Sequence, residues 1–130
     1  HDVYLRRGEA GRVRLPVVLG SDGVGEVIEA DPSSACRPGQ KVAIYPVLAC
    51  GVCRACKGAA PHKCLSFKMV GGERDGTHAD YVVIPEACLV ALPEGLGSDA
   101  AAAISLAGLT AWNMVVDEGA ARAEAGHQAR

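Results

Sequence analysis

The segment from residue 50 to residue 64 reads CGVCRACKGAAPHKC and contains four of the six cysteines of this 130-residue chain. The four are Cys50, Cys53, Cys56 and Cys64. Their CxxCxxCx7C spacing brings four sulfurs into one short loop, and glycine and proline between them help the backbone to turn. Four thiolates at about 2.3 Å complete a tetrahedral shell around zinc and leave no position for water or substrate. The loop is therefore predicted to bind one structural zinc ion, which folds the loop and does not catalyse.

Three other interpretations of these cysteines compete with a four-cysteine zinc site. Disulfides between cysteines two residues apart would be strained, and secreted disulfide scaffolds spread their cysteines along the chain. An iron–sulfur run also opens with CxxCxxC, but it closes after three residues with Cys-Pro, whereas here the gap is seven residues and Leu65 follows. His62 is a competing ligand inside the loop, although four cysteines already fill the shell. Zinc in a reducing, cytoplasmic compartment remains the prediction.

The rest of the chain shows a strand-and-turn pattern up to about residue 97. Short apolar or β-branched runs alternate with turn-forming stretches such as GSDG, DPSS, RPGQ and GGERDGT. The predicted strands are Val17–Leu19, Val24–Ile28, Val42–Tyr45, Tyr81–Ile84 and Cys88–Leu92. From Ser98, a predicted N-cap, the composition favours one or two helices as far as Val116, with a break near Gly108. The fold class is thus mainly β with C-terminal helices, an α+β arrangement.

Composition and charge narrow the function. The chain is 49% hydrophobic, enough for one domain with a core, and 13 basic residues against 15 acidic ones leave a net charge of −2 without a block of one sign. Such a charge balance lacks the cluster of basic residues that binding to nucleic acid or to an anionic membrane surface requires. Residues 100–116 are expected to be too short and too rich in small residues for a membrane span of about 20 apolar residues. A soluble protein is predicted, whose partner is a small molecule or another protein surface.

Four segments in this order resemble a known domain. They are LPVVLGSDGVGEVIEAD from Leu15 to Asp31, RPGQKV from Arg37 to Val42, the cysteine loop, and DGTHADYVVIP from Asp75 to Pro85. Together they resemble the GroES-like N-terminal catalytic domain of the medium-chain dehydrogenase/reductase superfamily, which includes zinc-type alcohol dehydrogenases and quinone oxidoreductases. The resemblance covers residues 1–116. It implies a partly open β-barrel, here incomplete at its N-terminus, with structural zinc in a lobe at residues 50–64.

The chain departs from this family at the catalytic zinc. Gly20, Ser21 and Asp22 stand where zinc-dependent members have Gly-His-Glu, and serine is a poor zinc ligand. A second ligand would fall near Leu106, which is apolar, and the third would precede His1. The resemblance therefore implies the branch that keeps only the structural zinc. Hydrogen-bond donors would replace the Lewis acid, and NAD(P)H would reduce an activated carbonyl, enone or quinone.

The resemblance also suggests site residues. His1 and Tyr4 fall where zinc-dependent relatives have the hydroxyl and the histidine of a proton relay, and Ser21 and Asp22 would remain in the cleft. Thr110 aligns with a threonine beside the nicotinamide. Each residue also has a purely structural interpretation. His1 would be a terminal residue and Tyr4 a packed residue with its hydroxyl at the surface. Ser21 and Asp22 would form an ordinary turn, and Thr110 would be a helix residue.

A nucleotide-binding Rossmann domain carries GxGxxG between a strand and a helix, and nothing after Val116 matches it. Residues 117–130 are read as a polar tail leading toward such a domain, and residues 1–130 alone are predicted to be inactive. A homo-oligomer is left open for the full-length form. Two alternatives stay open, a zinc-stapled barrel acting as a non-catalytic binding module and a zinc-dependent alcohol dehydrogenase.

Overall fold

The computed structural model describes residues 1–9, 13, 15–58 and 60–117. Its helices and strands follow in chain order: α1 Asp2–Arg6, β1 Gly23–Glu26, β2 Lys41–Ile44, β3 Val47–Leu48, α2 Arg54–Lys57, β4 Lys68–Met69, β5 Leu89–Ala91 and α3 Ser98–Trp112. Single 3-10 turns occupy Pro61–Lys63 and Glu86–Cys88, and a π-helical turn at Asn113–Asp117 extends α3. The predicted polar tail beyond residue 117 lies outside the described residues.

The central sheet is antiparallel, in the order β1-β2-β5. Ala43 of β2 pairs with Val24 on one side and with Val90 on the other. Val42 and Ile44 alternate with exposed or half-buried neighbours and are 5% and 6% exposed, so β2 carries the core face of the sheet. Helix α3 packs across β1 and β2. A second sheet, β3 with β4, lies at the base of the cysteine loop.

Three of the five predicted strands are present, and two are not. Val17–Leu19 and Tyr81–Ile84 form no strand. In the first segment the backbone groups of Val18 are hydrogen-bonded to a loop instead of to a neighbouring strand. Val18 N–H donates to Asp75 Oδ1 at 2.9 Å, and its carbonyl accepts from Gly76 N–H at 2.8 Å. Within the described residues the strands form these two small sheets and do not close into a barrel.

Helix α3 differs from its prediction in two respects. Its N-cap is Gly97, and Ser98 is the first helical residue, with no side-chain cap. The helix also continues through Gly108 to Trp112 instead of breaking. One glycine costs a helix only about 1 kcal/mol relative to alanine, which an alanine-rich segment supported by a sheet tolerates.

The apolar surface of α3 is largely exposed, with Leu109 49% and Trp112 61% accessible. The 19-residue segment Ser98–Val116 meets the length and hydropathy of a membrane span, with 6% of the tested window buried. The expectation that residues 100–116 are too short was therefore wrong in its length criterion, because the helix begins earlier and runs unbroken. Core helices of soluble proteins meet the same criterion.

Candidate functional site

The candidate site forms where two glycine-rich loops cross. The carbonyl of Gly20 accepts from Thr77 N–H at 2.9 Å, and His78 N–H donates to Leu19 O at 2.9 Å. Gly20 has φ +95°, and a Cβ there would lie 2.8 Å from both the ring and the backbone nitrogen of His78. Since only glycine allows this approach and this φ, the crossing brings residue 78 beside residues 20–22.

Ser21 is the buried polar side chain at this crossing, 4% exposed. Its Oγ lies 3.0 Å from His1 Nδ1. The next residue, Asp22, is half-buried, and its carbonyl accepts from Thr77 Oγ1 at 2.8 Å. The structure thus brings together three of the residues named from the sequence, His1, Ser21 and Asp22.

Asp2 joins this group from the first turn of α1. Its Oδ1 lies 3.3 Å from Gly20 N, which donates to it, and 3.8 Å from His1 Nδ1. Its Oδ2 lies 3.8 Å from His78 Nε2. A single carboxylate therefore faces two imidazoles and one backbone N–H. We call His1, Asp2, Ser21 and His78 the His1–His78 cluster.

Tyr4 and Thr110 stand apart from the His1–His78 cluster. Tyr4 is 58% exposed on α1, and no hydrogen bond joins it to the cluster within the described residues. The Thr110 hydroxyl donates to Leu106 O at 2.9 Å, one helical turn back. Such a back-bond is the ordinary state of an exposed helical threonine, so the roles suggested for both residues remain predictions.

The four-cysteine lobe is built from β3, α2 and the turn at Pro61–Lys63. One sulfur from each of its four cysteines lies within 4.8 Å of the other three. Cys53 Sγ is 3.5 Å and Cys50 Sγ 3.9 Å from Cys56 Sγ. A zinc–sulfur distance of about 2.3 Å requires sulfurs about 3.8 Å apart in a tetrahedron, so the lobe fits zinc. Among the described residues no second group of this kind occurs, and His62 is exposed outside it.

The thiols of the lobe are not equivalent. Backbone N–H groups of Val52 and Cys53, with the thiol of Cys64, lower the pKa of Cys50 to about 6. Burial and the neighbouring Cys53 raise the pKa of Cys56 to about 12. The lobe thus favours one thiolate at neutral pH and opposes a second at Cys56. A bound divalent cation would remove the opposition to a thiolate at Cys56, because a coordinating thiol is deprotonated by the metal.

The sequence model of the alcohol dehydrogenase GroES-like domain matches residues 1–94. The chain belongs to this family. An L-threonine 3-dehydrogenase of Anaeromyxobacter sp. (strain K) is 36% identical over 91 residues, 69% of this chain and 26% of that protein. NADP-dependent alcohol dehydrogenase 6 of Saccharomyces cerevisiae is 30% identical over 128 residues, 91% of this chain and 36% of that protein. The solved structure of an NAD-dependent alcohol dehydrogenase is 44% identical, with a TM-score of 0.83 over 90% of this chain and 35% of that one.

This GroES-like domain therefore spans about a quarter to a third of the length of these relatives. The comparisons confirm the family that the four segments suggested. The similarity of the solved structure also agrees with the overall fold.

Two members of the cluster were missed from the sequence. His78 lies in a quoted segment and Asp2 is next to the candidate residue His1, yet neither spacing nor residue type linked them. The available signal was a histidine in DGTHADY and an acidic residue next to His1. Only the glycine crossing, which needs three dimensions, places the two side chains together.

Proposed function

We propose that this GroES-like domain is the catalytic-domain portion of an NAD(P)-dependent oxidoreductase that reduces an activated carbonyl, enone or quinone without a catalytic zinc ion. The observation that carries the proposal is the environment of Ser21. At the position of the histidine ligand of zinc-dependent relatives, a buried hydroxyl lies 3.0 Å from an imidazole. This pair is suited to hydrogen bonding, and it lacks the donor set for a zinc ion.

A hydroxyl in this position supplies what the substrate oxygen needs. A reduced nicotinamide, when bound, provides the hydride that adds to the acceptor carbon. Negative charge then grows on the substrate oxygen, and a positioned donor in a buried site stabilises it more than water does. Ser21 is assigned this role, with His1 holding the hydroxyl in place and Asp22 at the edge of the cleft. Removing one such donor typically lowers kcat by about 10²–10³-fold.

We assign one structural zinc ion to Cys50, Cys53, Cys56 and Cys64. The support is the tetrahedral fit of the four sulfurs and the closed ligand set. With four protein ligands the ion fixes the lobe and takes no part in the reaction. Domain 1–116 then carries substrate chemistry, and a nucleotide-binding domain beyond residue 117 is proposed to cover the apolar side of α3. One relative is NAD-dependent by name and another NADP-dependent, so the proposal names the nicotinamide and neither cofactor alone.

The test is turnover by the longer protein. The protein tested includes the cofactor domain. It is expected to oxidise NADH or NADPH when p-benzoquinone or a simple enone is the acceptor, and to be a poor catalyst of ethanol oxidation. Ser21→Ala should lower kcat by about 10²–10³-fold, whereas Ser66→Ala, at an exposed position in the lobe region, should not. Equal activity of the two variants would remove Ser21 from the mechanism.

Zinc content separates the alternatives. The proposal expects one zinc ion per chain and activity that survives 1,10-phenanthroline. Two zinc ions with chelator-sensitive alcohol oxidation would instead establish a zinc-dependent alcohol dehydrogenase. A longer protein with one zinc and no turnover on any carbonyl, enone or quinone would favour the binding-module alternative.

A further inference from the structure

Asp2 faces both imidazoles of the His1–His78 cluster and also accepts from a backbone N–H. One carboxylate oxygen accepts from Gly20 N–H at 3.3 Å and faces His1 Nδ1 at 3.8 Å. The other oxygen faces His78 Nε2 at 3.8 Å. The hydrogen bond from Gly20 N–H places the carboxylate between the two imidazoles, with its negative charge nearest to Nδ1 of His1 and Nε2 of His78.

The two nitrogens of a neutral imidazole are not interchangeable. Only one carries the proton, and the groups that face each nitrogen decide which. His1 Nδ1 faces Asp2 Oδ1 and Ser21 Oγ. A proton on Nδ1 is attracted by the nearby negative charge, while a lone pair on Nδ1 is repelled by it. The carboxylate therefore favours the Nδ1–H tautomer of His1 through space, at 3.8 Å, while the Nδ1–H itself is within hydrogen-bonding distance of Ser21 Oγ.

The tautomer of His1 decides what Ser21 can do. If Nδ1 is a lone pair, the Ser21 hydroxyl donates to it and has no proton left for a substrate. If Nδ1 carries the proton, His1 donates to Ser21 Oγ. The Ser21 hydroxyl proton then has no acceptor within the described residues, where its one hydrogen-bond partner is His1. Leaving a buried O–H without an acceptor costs free energy, so this hydroxyl favours a ligand that brings an acceptor oxygen.

We propose that Asp2 is a positioning residue that holds His1 in the Nδ1–H tautomer, so that the Ser21 hydroxyl is turned outward to donate to the oxygen of a carbonyl or quinone substrate. His78 and Gly20 N–H position Asp2 in turn. This inference rests on the proposed function for its chemical purpose, but the tautomer itself is a property of the chain and is measured without turnover.

The experiment is nitrogen NMR of the zinc-loaded chain with ¹⁵N-labelled histidine. The spectrum is recorded near pH 9, roughly two units above the ordinary histidine pKa, so that the imidazoles are neutral. The chain has four histidines, and single His→Gln variants assign their signals. His1 is expected to show a protonated Nδ1 and a bare Nε2. His62, exposed and outside the cluster, serves as the internal reference for a free ring.

Two variants test the cause. Asp2→Asn keeps an oxygen that accepts from Gly20 N–H but removes the charge, and it should move the His1 proton to Nε2. Asp80→Asn removes a charge two residues from His78, from an exposed side chain, and should leave His1 unchanged. Ser21→Ala should also leave Nδ1 protonated, because the carboxylate and not the hydroxyl sets the tautomer.

Each result decides the inference in one direction. An Nε2–H tautomer of His1 in the unmodified chain overturns it without any variant, so a misfolded Asp2→Asn protein does not leave it undecided. An unchanged tautomer in folded Asp2→Asn, or a switched one in Ser21→Ala, also overturns it. A protonated Nδ1 in a protein whose longer form reduces no carbonyl or quinone would retain the tautomer and reject only the proposed function. In an active longer protein, Asp2→Asn should lower kcat, with KM little changed. The loss should not exceed the about 10²–10³-fold that removal of one donor typically causes.

Discussion

The four-cysteine lobe and the His1–His78 cluster place chemistry-bearing side chains by opposite means. The lobe draws all its ligands from residues 50–64, so their spacing alone brings four sulfurs within reach of one ion. The cluster draws its members from residues 1–2, 21 and 78, which meet only where Gly20 crosses the loop at residues 76–78. The lobe is thus determined by local spacing and, as proposed, held by a zinc ion, whereas the cluster is determined by long-range packing around glycines.

Loss of zinc is the largest effect expected, and it should be confined to the lobe. Structural zinc contributes on the order of 10 kcal/mol or more to folding of its site, and Cys56→Ser removes one of four ligands. Zinc content by mass spectrometry should fall, and hydrogen exchange should speed up in residues 50–64. Exchange in β2 should change little, because its core contacts do not involve the lobe.

Cys36→Ser is the matched control, since Cys36 lies outside the lobe. It should retain one zinc ion per chain. If Cys56→Ser kept full zinc, or if exchange in β2 rose as much as in the lobe, the lobe would not be the separate, ligand-held unit described above.

A methyl group at the crossing should break the cluster and spare the lobe. In Gly20→Ala the new Cβ would overlap Thr77 Oγ1, lie 2.8 Å from His78 N and demand φ +95°. Backbone strain and overpacking each cost about 1–3 kcal/mol, so urea unfolding should show a loss of about 2–6 kcal/mol. Zinc stoichiometry should stay at one.

Gly95→Ala is the control that measures backbone strain without a steric clash. Gly95 has φ +82°, but a Cβ there meets nothing within 4 Å. Its loss should be limited to about 1–3 kcal/mol of strain. Equal destabilisation by the two alanines would mean that the close crossing does not hold residues 20 and 78 together.

The same contrast explains what the sequence could predict. The lobe, β2, β5 and α3 follow from local spacing, alternation and composition, and their positions agree with the sequence to within a few residues. Val17–Leu19 and Tyr81–Ile84 have the composition of strands but lack ladder partners among the described strands, which no local pattern reveals. Asp2 and His78 were missed for the same reason, because a contact across 76 residues of sequence leaves no local periodicity. Gly108 did not break the helix because one glycine costs only about 1 kcal/mol relative to alanine, and its alanine and leucine neighbours favour helix.

The smallest expected effect is a difference in reactivity inside the lobe, and it tests whether the lobe is as uniform as its sequence. In the zinc-free chain the pKa of Cys50 is lowered to about 6 and that of Cys56 raised to about 12. Since the thiolate is the nucleophile, iodoacetamide at pH 7 should label Cys50 well before Cys56, as read by peptide mass spectrometry. Labelling of Cys50 should slow as the pH falls below about 6, where its thiolate is protonated. Its advantage over Cys56 should shrink as the pH is raised, because Cys56 then begins to ionise, and zinc should protect both. Equal labelling rates at pH 7 in the zinc-free chain would show that the backbone N–H groups of Val52 and Cys53 do not single out one sulfur. The lobe would then depend on the metal alone, whereas unequal rates mean that its fold already supplies the first thiolate before the metal binds.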